Sequence, residues 1–281
     1  MTWQRIGDVE PTSLTDVRLQ LHWAAQAAAG VGRSLLTKQP DFSHESFEWS
    51  PSHQGLVEGI VEGPPAFRSG IRFRDLTLLL IDGGDGSAVI DEFPMSGRSL
   101  TEGYDFYQKR CSSLLGRDVT IDRSTEEMPA HPVGSGARFL VSDPALLGEV
   151  GRYYTDADQL LAELSSTEKG AGEVRCWPHH FDIATLITVS GSDEEARTIG
   201  VGMSPGDSTI GEPYWYVTPW PSGMPDSLPL LSHGRWNREG WFGALLRASE
   251  IAGHGSEAQR ATISRFLAEA TLHCRSLLVE S

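Results

Sequence analysis

The stretch from Phe67 to Phe93 reads FRSGIRFRDLTLLLIDGGDGSAVIDEF. It contains short apolar or alternating runs of the kind that form β-strands, separated by a turn over residues 82–86 whose Asp and Gly residues tolerate positive φ. The same pattern occurs upstream, and the predicted strands in this half are Ser46–Trp49, Leu56–Glu62, Phe67–Phe73, Leu76–Ile81 and Ala88–Phe93. We therefore predict an antiparallel sheet between residues 43 and 93.

Helical patterns flank this region. Ser13–Leu36 has an apolar stripe with helical spacing, and Ser99-Leu-Thr-Glu102 has the spacing of a capping box that opens a helix to Leu115. Asp143-Pro144 predicts a further helical segment to about Ser165. The remaining predicted elements are strands at Val119–Ile121, Val174–Ser190, Arg197–Met203 and Glu212–Thr218, and a C-terminal helix pair at Asn237–Ala252 and Ser256–Leu278.

Runs of strands bordered by helices, without regular β-α alternation, predict an α+β fold with largely antiparallel sheets. In this fold an N-terminal helix, a middle helical segment and the C-terminal helix pair flank the sheets. We expect residues 1–281 to form a single compact unit, with sub-halves 1–122 and 138–281 joined by the Pro- and Gly-rich loop 123–137.

Composition disfavours several classes of protein. The chain has a formal net charge of −15, and its sequence shows no basic patch of the kind that nucleic-acid binding requires. Three widely spaced cysteines indicate a reducing compartment, and neither a signal core at the start nor an apolar run long enough to cross a bilayer is visible. We therefore expect a cytoplasmic protein without nucleic-acid or membrane partners. No phosphate-binding glycine motif follows a strand, which disfavours NAD and nucleoside-triphosphate enzymes.

Two motifs with a catalytic or metal-binding appearance fail on physical grounds. Residues 202–206 match G-x-S-x-G, but Pro205 has no N–H to donate to an oxyanion, and no helix is predicted to follow. Asp82 and Asp85 lack the distant Glu and the flanking helices of a calcium loop. Both segments are better interpreted as turns.

The string Cys176-Trp-Pro-His-His-Phe-Asp182 is the most distinctive in the chain. If the segment is extended, His180 and Asp182 lie on one face and could act as metal ligands or as an acid–base pair. His179 would lie with Phe181 on the other face, where an ordinary core position is the simpler interpretation. The same simple interpretation, a satisfied core or edge histidine, also stands for His180.

Two further segments present polar residues in register. On a strand, Glu212, Tyr214 and Tyr216 share one face, which is typical either of a ligand pocket or of a solvent face. On the first helix, His22, Gln26 and Arg33 fall within a narrow arc of an otherwise largely apolar surface. That stripe is either the solvent-exposed face of the helix or the lining of a cavity.

Several motifs in order resemble a bacterial family of uncharacterised proteins, known as a domain of unknown function. They are Leu21-His22 with Gln26 in the first helix, His44 before the first strand, Phe181-Asp182 on a strand, Pro205-Gly206, and Glu212-Pro213 before an aromatic strand. The resemblance implies that His22, His44, Asp182 and Glu212 are placed jointly, and it implies no activity or cofactor. The His179–His180 pair has no place in that pattern, so its interpretation depends on this sequence alone.

Three functions follow as hypotheses. The first is a polar, aromatic-walled pocket that binds a small molecule through His22, Gln26, His180, Asp182, Glu212, Tyr214 and Tyr216. The second is a metal-assisted hydrolase with a divalent cation held by His180, Asp182, His22 and His44, to which Glu212 could contribute. The third is a non-catalytic interaction or structural protein with an exposed aromatic surface.

Overall fold

The computed structural model describes residues 3–125, 127–141, 143–192, 195–221, 223–225 and 227–280. The fold is α+β, with four helices and two antiparallel sheets in this part of the chain. The helices are α1 (Thr15–Leu35), α2 (Leu100–Leu115), α3 (Pro144–Thr167) and α4 (Ser256–Glu280). Within the described residues, none of them is long and apolar enough to cross a membrane.

The chain divides into two compact units. The unit that contains α1 comprises residues 15–151 and 176–181, and we call it the α1 unit. The unit that contains α4 comprises the described residues of 1–14, 152–175 and 182–281, and we call it the α4 unit. The described residues of the glycine- and proline-rich segment 123–137 lie inside the α1 unit.

The α1 unit is built on a five-stranded antiparallel meander in the order β1-β2-β3-β4-β5. Its strands are β1 (Glu48–Ser50), β2 (Gly55–Val57), β3 (Phe67–Arg72), β4 (Thr77–Asp82) and β5 (Val89–Pro94). Strand β4 has a neighbour on each side and its residues 77–81 are all buried, which explains a continuous apolar run in place of an alternating one. Helix α1 contacts β3, β4 and α2, and almost its whole circumference is buried.

The second sheet has the order β10-β11-β9-β8-β7-β6. Its strands are β6 (Arg175–Cys176), β7 (Ile183–Ser190), β8 (Arg197–Ser204), β9 (Tyr214–Trp220), β10 (Arg235–Asn237) and β11 (Gly243–Arg247). Helix α4 contacts β8, β9 and β11. Strand β9 therefore lies between two neighbours and beneath a helix, so it is held firmly in the α4 unit.

The structure corrects three predicted elements, one of which, Val174–Ser190, is divided into β6 and β7. Residues 119–121 form no strand, because the backbone N–H groups of Val119 and Ile121 donate to the side chains of Ser112 (3.1 Å) and Gln108 (3.5 Å). The predicted helix Asn237–Ala252 is instead the β10–β11 hairpin followed by a short 3₁₀ turn at Ala248–Glu250. Its residues 243–246 are all buried, so the run shows no polar–apolar alternation that would have indicated a strand.

Candidate functional site

Two tyrosines on β9 each donate a hydrogen bond to an aspartate in the α4 unit. Alternate residues of a strand share one face, and Tyr214 and Tyr216 therefore project from the same side of the sheet. The Tyr214 hydroxyl donates to Asp207 Oδ2 at 2.6 Å, and the Tyr216 hydroxyl donates to Asp182 Oδ2. Both phenols consequently act as donors, and both carboxylates act as acceptors.

A glycine on the neighbouring strand makes the Tyr216–Asp182 contact possible. Gly202 of β8 lies opposite Tyr216 and also opposite Ala184 of β7. A Cβ atom on Gly202 would lie 2.6 Å from the Tyr216 hydroxyl oxygen and 2.8 Å from the Ala184 Cβ, which is too close for either contact. The absent side chain therefore leaves room for the phenol ring of Tyr216 to cross β8.

Trp241 completes an aromatic wall with the two tyrosines, and we use this name for Tyr214, Tyr216 and Trp241. The ring centroids of Trp241 and Tyr214 are 6.2 Å apart with nearly parallel planes (18°). The Trp241 and Tyr216 centroids are 6.3 Å apart at 71°. Ile210 and Leu245 form a buried apolar cluster with Tyr214, and Tyr216 and Trp241 pack against that cluster.

The two aspartates differ in how completely they are satisfied. Asp207 accepts hydrogen bonds from the backbone N–H groups of Thr209 (2.6 Å) and Ile210 (2.8 Å) in addition to Tyr214. Asp182 Oδ1 is shielded from water and has no hydrogen-bond partner among the described residues, although the residue as a whole is partly exposed. Burial, and then the hydrogen bond and negative charge of Asp207, raise the pKa of Tyr214, so this phenol keeps its proton.

Glu212 precedes β9 and does not belong to it, and its carboxylate is already paired. The Ser249 backbone N–H donates to Glu212 Oε2 at 2.8 Å and the Ser249 hydroxyl donates to Oε1 at 3.0 Å. The Arg247 guanidinium lies 4.0 Å from the same carboxylate. Glu212 thus ties the start of β9 to the end of β11, which is a structural contact within the α4 unit.

In the polar stripe of α1, His22 and Gln26 are buried and Arg33 is partly buried, so the stripe is not the solvent-exposed side of the helix. His22 and Gln26 are 4% and 3% exposed, and the Nε2 atoms of both lie 2.7 Å from the carbonyl oxygen of Pro178. Because that oxygen accepts, the geometry assigns the His22 proton to Nε2. The His22 ring also stacks on Phe181 at 4.8 Å and 7°. The stripe holds the 176–181 segment inside the α1 unit.

Burial also decides the charge of His22. It lowers the pKa of the imidazole from 6.5 to about 4, with smaller lowering contributions from the positive charges of Arg18, His180 and His179. The hydrogen bond to Pro178 raises the pKa, but by less than burial lowers it. His22 is therefore neutral at physiological pH.

The segment expected to be extended around His179 and His180 is a turn. The Phe181 N–H donates to the Trp177 carbonyl at 2.7 Å, and Phe181 itself has φ 57°. The alternation of faces predicted for residues 179–182 is therefore wrong, since it required an extended backbone. Both histidine side chains are exposed, with ring centroids 4.3 Å apart.

His44, the remaining candidate metal ligand, is buried in the α1 unit. Its Nδ1 accepts a hydrogen bond from the Gln39 N–H at 3.1 Å, and its Nε2 lies 3.4 Å from Glu45 Oε1. Both ring nitrogens are therefore engaged locally. Among the residues that the structure describes, no group of three or more His, Cys, Asp or Glu side chains comes together in a way that could hold a metal ion.

The predicted site residues fall into both units. His22, Gln26, His44 and His180 belong to the α1 unit, whereas Asp182, Glu212, Tyr214 and Tyr216 belong to the α4 unit. Sequence reasoning included neither Asp207 nor Trp241 in the predicted ligand pocket. Asp207 follows a Pro-Gly turn and caps its own loop, which is a signal for a turn and not for a site. Trp241 lies in the β10–β11 hairpin, where the sequence predicts a helix.

Comparison of the chain with protein-family models, with curated proteins and with solved structures gave no match.

Proposed function

We propose that this protein binds a small polar molecule at the aromatic wall, through the Asp182 carboxylate that Tyr216 positions. The observation that carries the proposal is the Asp182 carboxylate itself, with Oδ2 fixed by a phenol and Oδ1 lacking a partner among the described residues. An unsatisfied buried polar atom costs about 1–3 kcal/mol. A ligand whose binding opens access to Asp182 Oδ1 and supplies a hydrogen-bond donor would remove that cost.

The surroundings of Asp182 suit such a ligand. Ligand sites combine apolar and aromatic walls with a few fixed polar groups. Tyr214, Tyr216 and Trp241 supply the wall, and Tyr216 fixes the carboxylate without neutralising it. The sequence predicts that His22 and Gln26 of α1 line the ligand pocket. In the structure their side chains instead hydrogen-bond to the Pro178 carbonyl oxygen.

A library of small polar compounds, screened by thermal shift, tests this function. We expect at least one compound to raise the unfolding temperature of the wild type. Tyr216→Phe and Asp182→Asn should each weaken its binding by about 10- to 100-fold, since a hydrogen bond to a charged group contributes about 1.5–3 kcal/mol. Tyr104→Phe, which removes a phenol hydroxyl in the α1 unit, is the matched control and should bind like the wild type.

Two results would contradict the proposal. One is a library in which no compound stabilises the wild type. The other is a set of compounds whose affinities are the same for the wild type, Tyr216→Phe and Asp182→Asn.

We also propose a cytoplasmic location, supported by the small number of cysteines, three in all, which lie far apart in the sequence and are buried. Membership of the uncharacterised bacterial family that the motifs resemble is likewise a proposal.

A further inference from the structure

We infer that the ligand of the aromatic wall is an organic cation whose ammonium group is bound by Asp182 and by the faces of the rings. This inference rests on the proposed function, because it names the chemical class of the molecule bound at the same site. Three features of the α4 unit carry it: the local charge balance, the direction of the hydrogen bonds, and the ring geometry.

The charge balance beside the wall is negative. Among the described residues, the hydrogen bonds to the carboxylates of Asp182 and Asp207 come from uncharged donors, either a phenol or a backbone N–H. Within the described residues, no Lys, Arg or His nitrogen lies within 4.0 Å of either carboxylate, whereas Glu212 has Arg247 at that distance. The negative charges of Asp207 and Asp182 are both felt at Tyr214, where they contribute to the raised pKa. A positive ligand would neutralise this excess.

The arrangement of hydrogen-bond donors and acceptors also favours a cationic ligand. Both phenols of the wall direct their protons at aspartates, so neither hydroxyl proton is free for a ligand acceptor. The group left unsatisfied is an acceptor, Asp182 Oδ1. A phosphate or carboxylate would therefore meet acceptors and negative charge, while an ammonium group whose binding opens access to Asp182 Oδ1 would supply the missing donor.

The aromatic rings attract a cation more strongly than a neutral or anionic ligand. The faces of aromatic rings carry partial negative charge and attract cations, with Trp the strongest, and the effect grows when water is excluded. Tyr216 and Trp241 meet at 71° and form a corner between two ring planes. Tyr214 is 7% exposed, which leaves Tyr216 and Trp241, both partly exposed, as the rings that a ligand can reach.

Choline and its neutral isostere 3,3-dimethylbutan-1-ol give a direct test on the full chain, since the two molecules differ in charge and hardly in shape. Isothermal titration calorimetry with these two, with tetramethylammonium and methylammonium, and with glucose as a neutral polyol would measure the selectivity. We expect at least one cation to bind with a Kd below about 1 mM, and choline to bind at least about tenfold more tightly than its isostere. The affinity should fall with added salt.

Substitutions at the aromatic wall and away from it test whether choline binds at this site. Asp182→Asn should weaken choline binding at least about tenfold and leave the isostere unchanged, because it removes charge without changing shape. Trp241→Leu should also weaken choline binding. Trp220→Leu, which removes a 62% exposed tryptophan at the far end of β9, is the matched control and should not.

The outcomes separate the two proposals. Equal affinity for choline and its isostere, or binding of none of the three cations, overturns the cation inference. If glucose or a neutral library compound then binds in a manner sensitive to Tyr216→Phe, the site remains a ligand site and only the class is wrong. If neither the probes nor the library bind, the proposed function fails as well.

Discussion

Glu58 is a carboxyl group enclosed in the α1 unit. It is 1% exposed, and its Oε2 accepts hydrogen bonds from the Gly32 N–H of α1 (2.8 Å) and from the Ser69 hydroxyl (2.5 Å). A Cβ on Gly32 would lie 2.4 Å from Glu58 Oε1, so this glycine allows the helix to approach the carboxyl. Burial raises the pKa of Glu58 from 4.5 to about 8, and the two hydrogen bonds only reduce that effect.

Glu58 should make the protein less stable as the pH rises. Between pH 4.5 and about 8 the folded state keeps a proton that the unfolded state has lost, so this group's contribution to the free energy of unfolding falls by up to about 1.4 kcal/mol per pH unit. Glu58→Gln should remove this dependence, as measured by urea unfolding at several pH values. The exposed Glu62→Gln is the control and should behave like the wild type. A Glu58→Gln profile as steep as that of the wild type would contradict the prediction.

At the scale of elements, the start of α2 shows how a purely local pattern fixes a boundary. The Glu102 N–H donates to Ser99 Oγ (3.3 Å), and the Ser99 N–H donates to Glu102 Oε2 (2.9 Å), which is the predicted capping box. Both partners lie within four residues, so the sequence contains everything that this contact needs. The predicted cap of α3 is similar, since the Ala145 N–H donates to Asp143 Oδ1 at 2.9 Å.

Ser99→Ala should lower the free energy of unfolding by about 1 kcal/mol, because it leaves the Glu102 N–H without its side-chain acceptor. Ser99→Thr keeps the hydroxyl and should lose much less. Equilibrium unfolding in urea measures both. An alanine variant as stable as the wild type would mean that water replaces the serine oxygen at no cost.

Other elements could not be predicted from local pattern. Residues 243–246 are all buried, so their sequence lacks the polar–apolar alternation that would distinguish a strand from a helix. They form a strand because they pair with β9 and β10. Residues 177–181 resemble a strand and instead form a turn, whose carbonyl at Pro178 is held by two side chains of α1. In both cases a partner that is distant along the chain decides the conformation.

For the whole molecule, the response of stability to pH combines groups whose effects have opposite signs. His22 has a pKa lowered to about 4, so its contribution is fully present above pH 6.5 and is lost as the pH falls through about 4. Glu58 has a raised pKa, and its contribution is lost as the pH rises from 4.5 to about 8. Between pH 4.5 and 6.5 the two slopes therefore offset each other, and above pH 6.5 only that of Glu58 remains.

We expect His22→Gln to expose the effect of Glu58 at lower pH. The free energy of unfolding of this variant should fall with rising pH from about 4.5, whereas the wild type should start to fall near 6.5 as far as these two groups are concerned. Urea unfolding followed by tryptophan fluorescence measures the difference. The exposed His254→Gln is the control. Parallel profiles for His22→Gln and the wild type would show that His22 is protonated equally in the folded and unfolded states.

The sequence by itself determined the α+β class, helices α1, α2 and α4, the meander around Phe67–Phe93 and the shared face of Tyr214 and Tyr216. These features depend on periodicity and on contacts between near neighbours, which a linear pattern contains. Tertiary structure alone decided that Tyr216 reaches Asp182 across Gly202, that Glu212 is held by Ser249, and that His22 and Glu58 are buried. Residues 182 and 216, like 212 and 249, are more than thirty positions apart, and no local pattern specifies which strands bring them together.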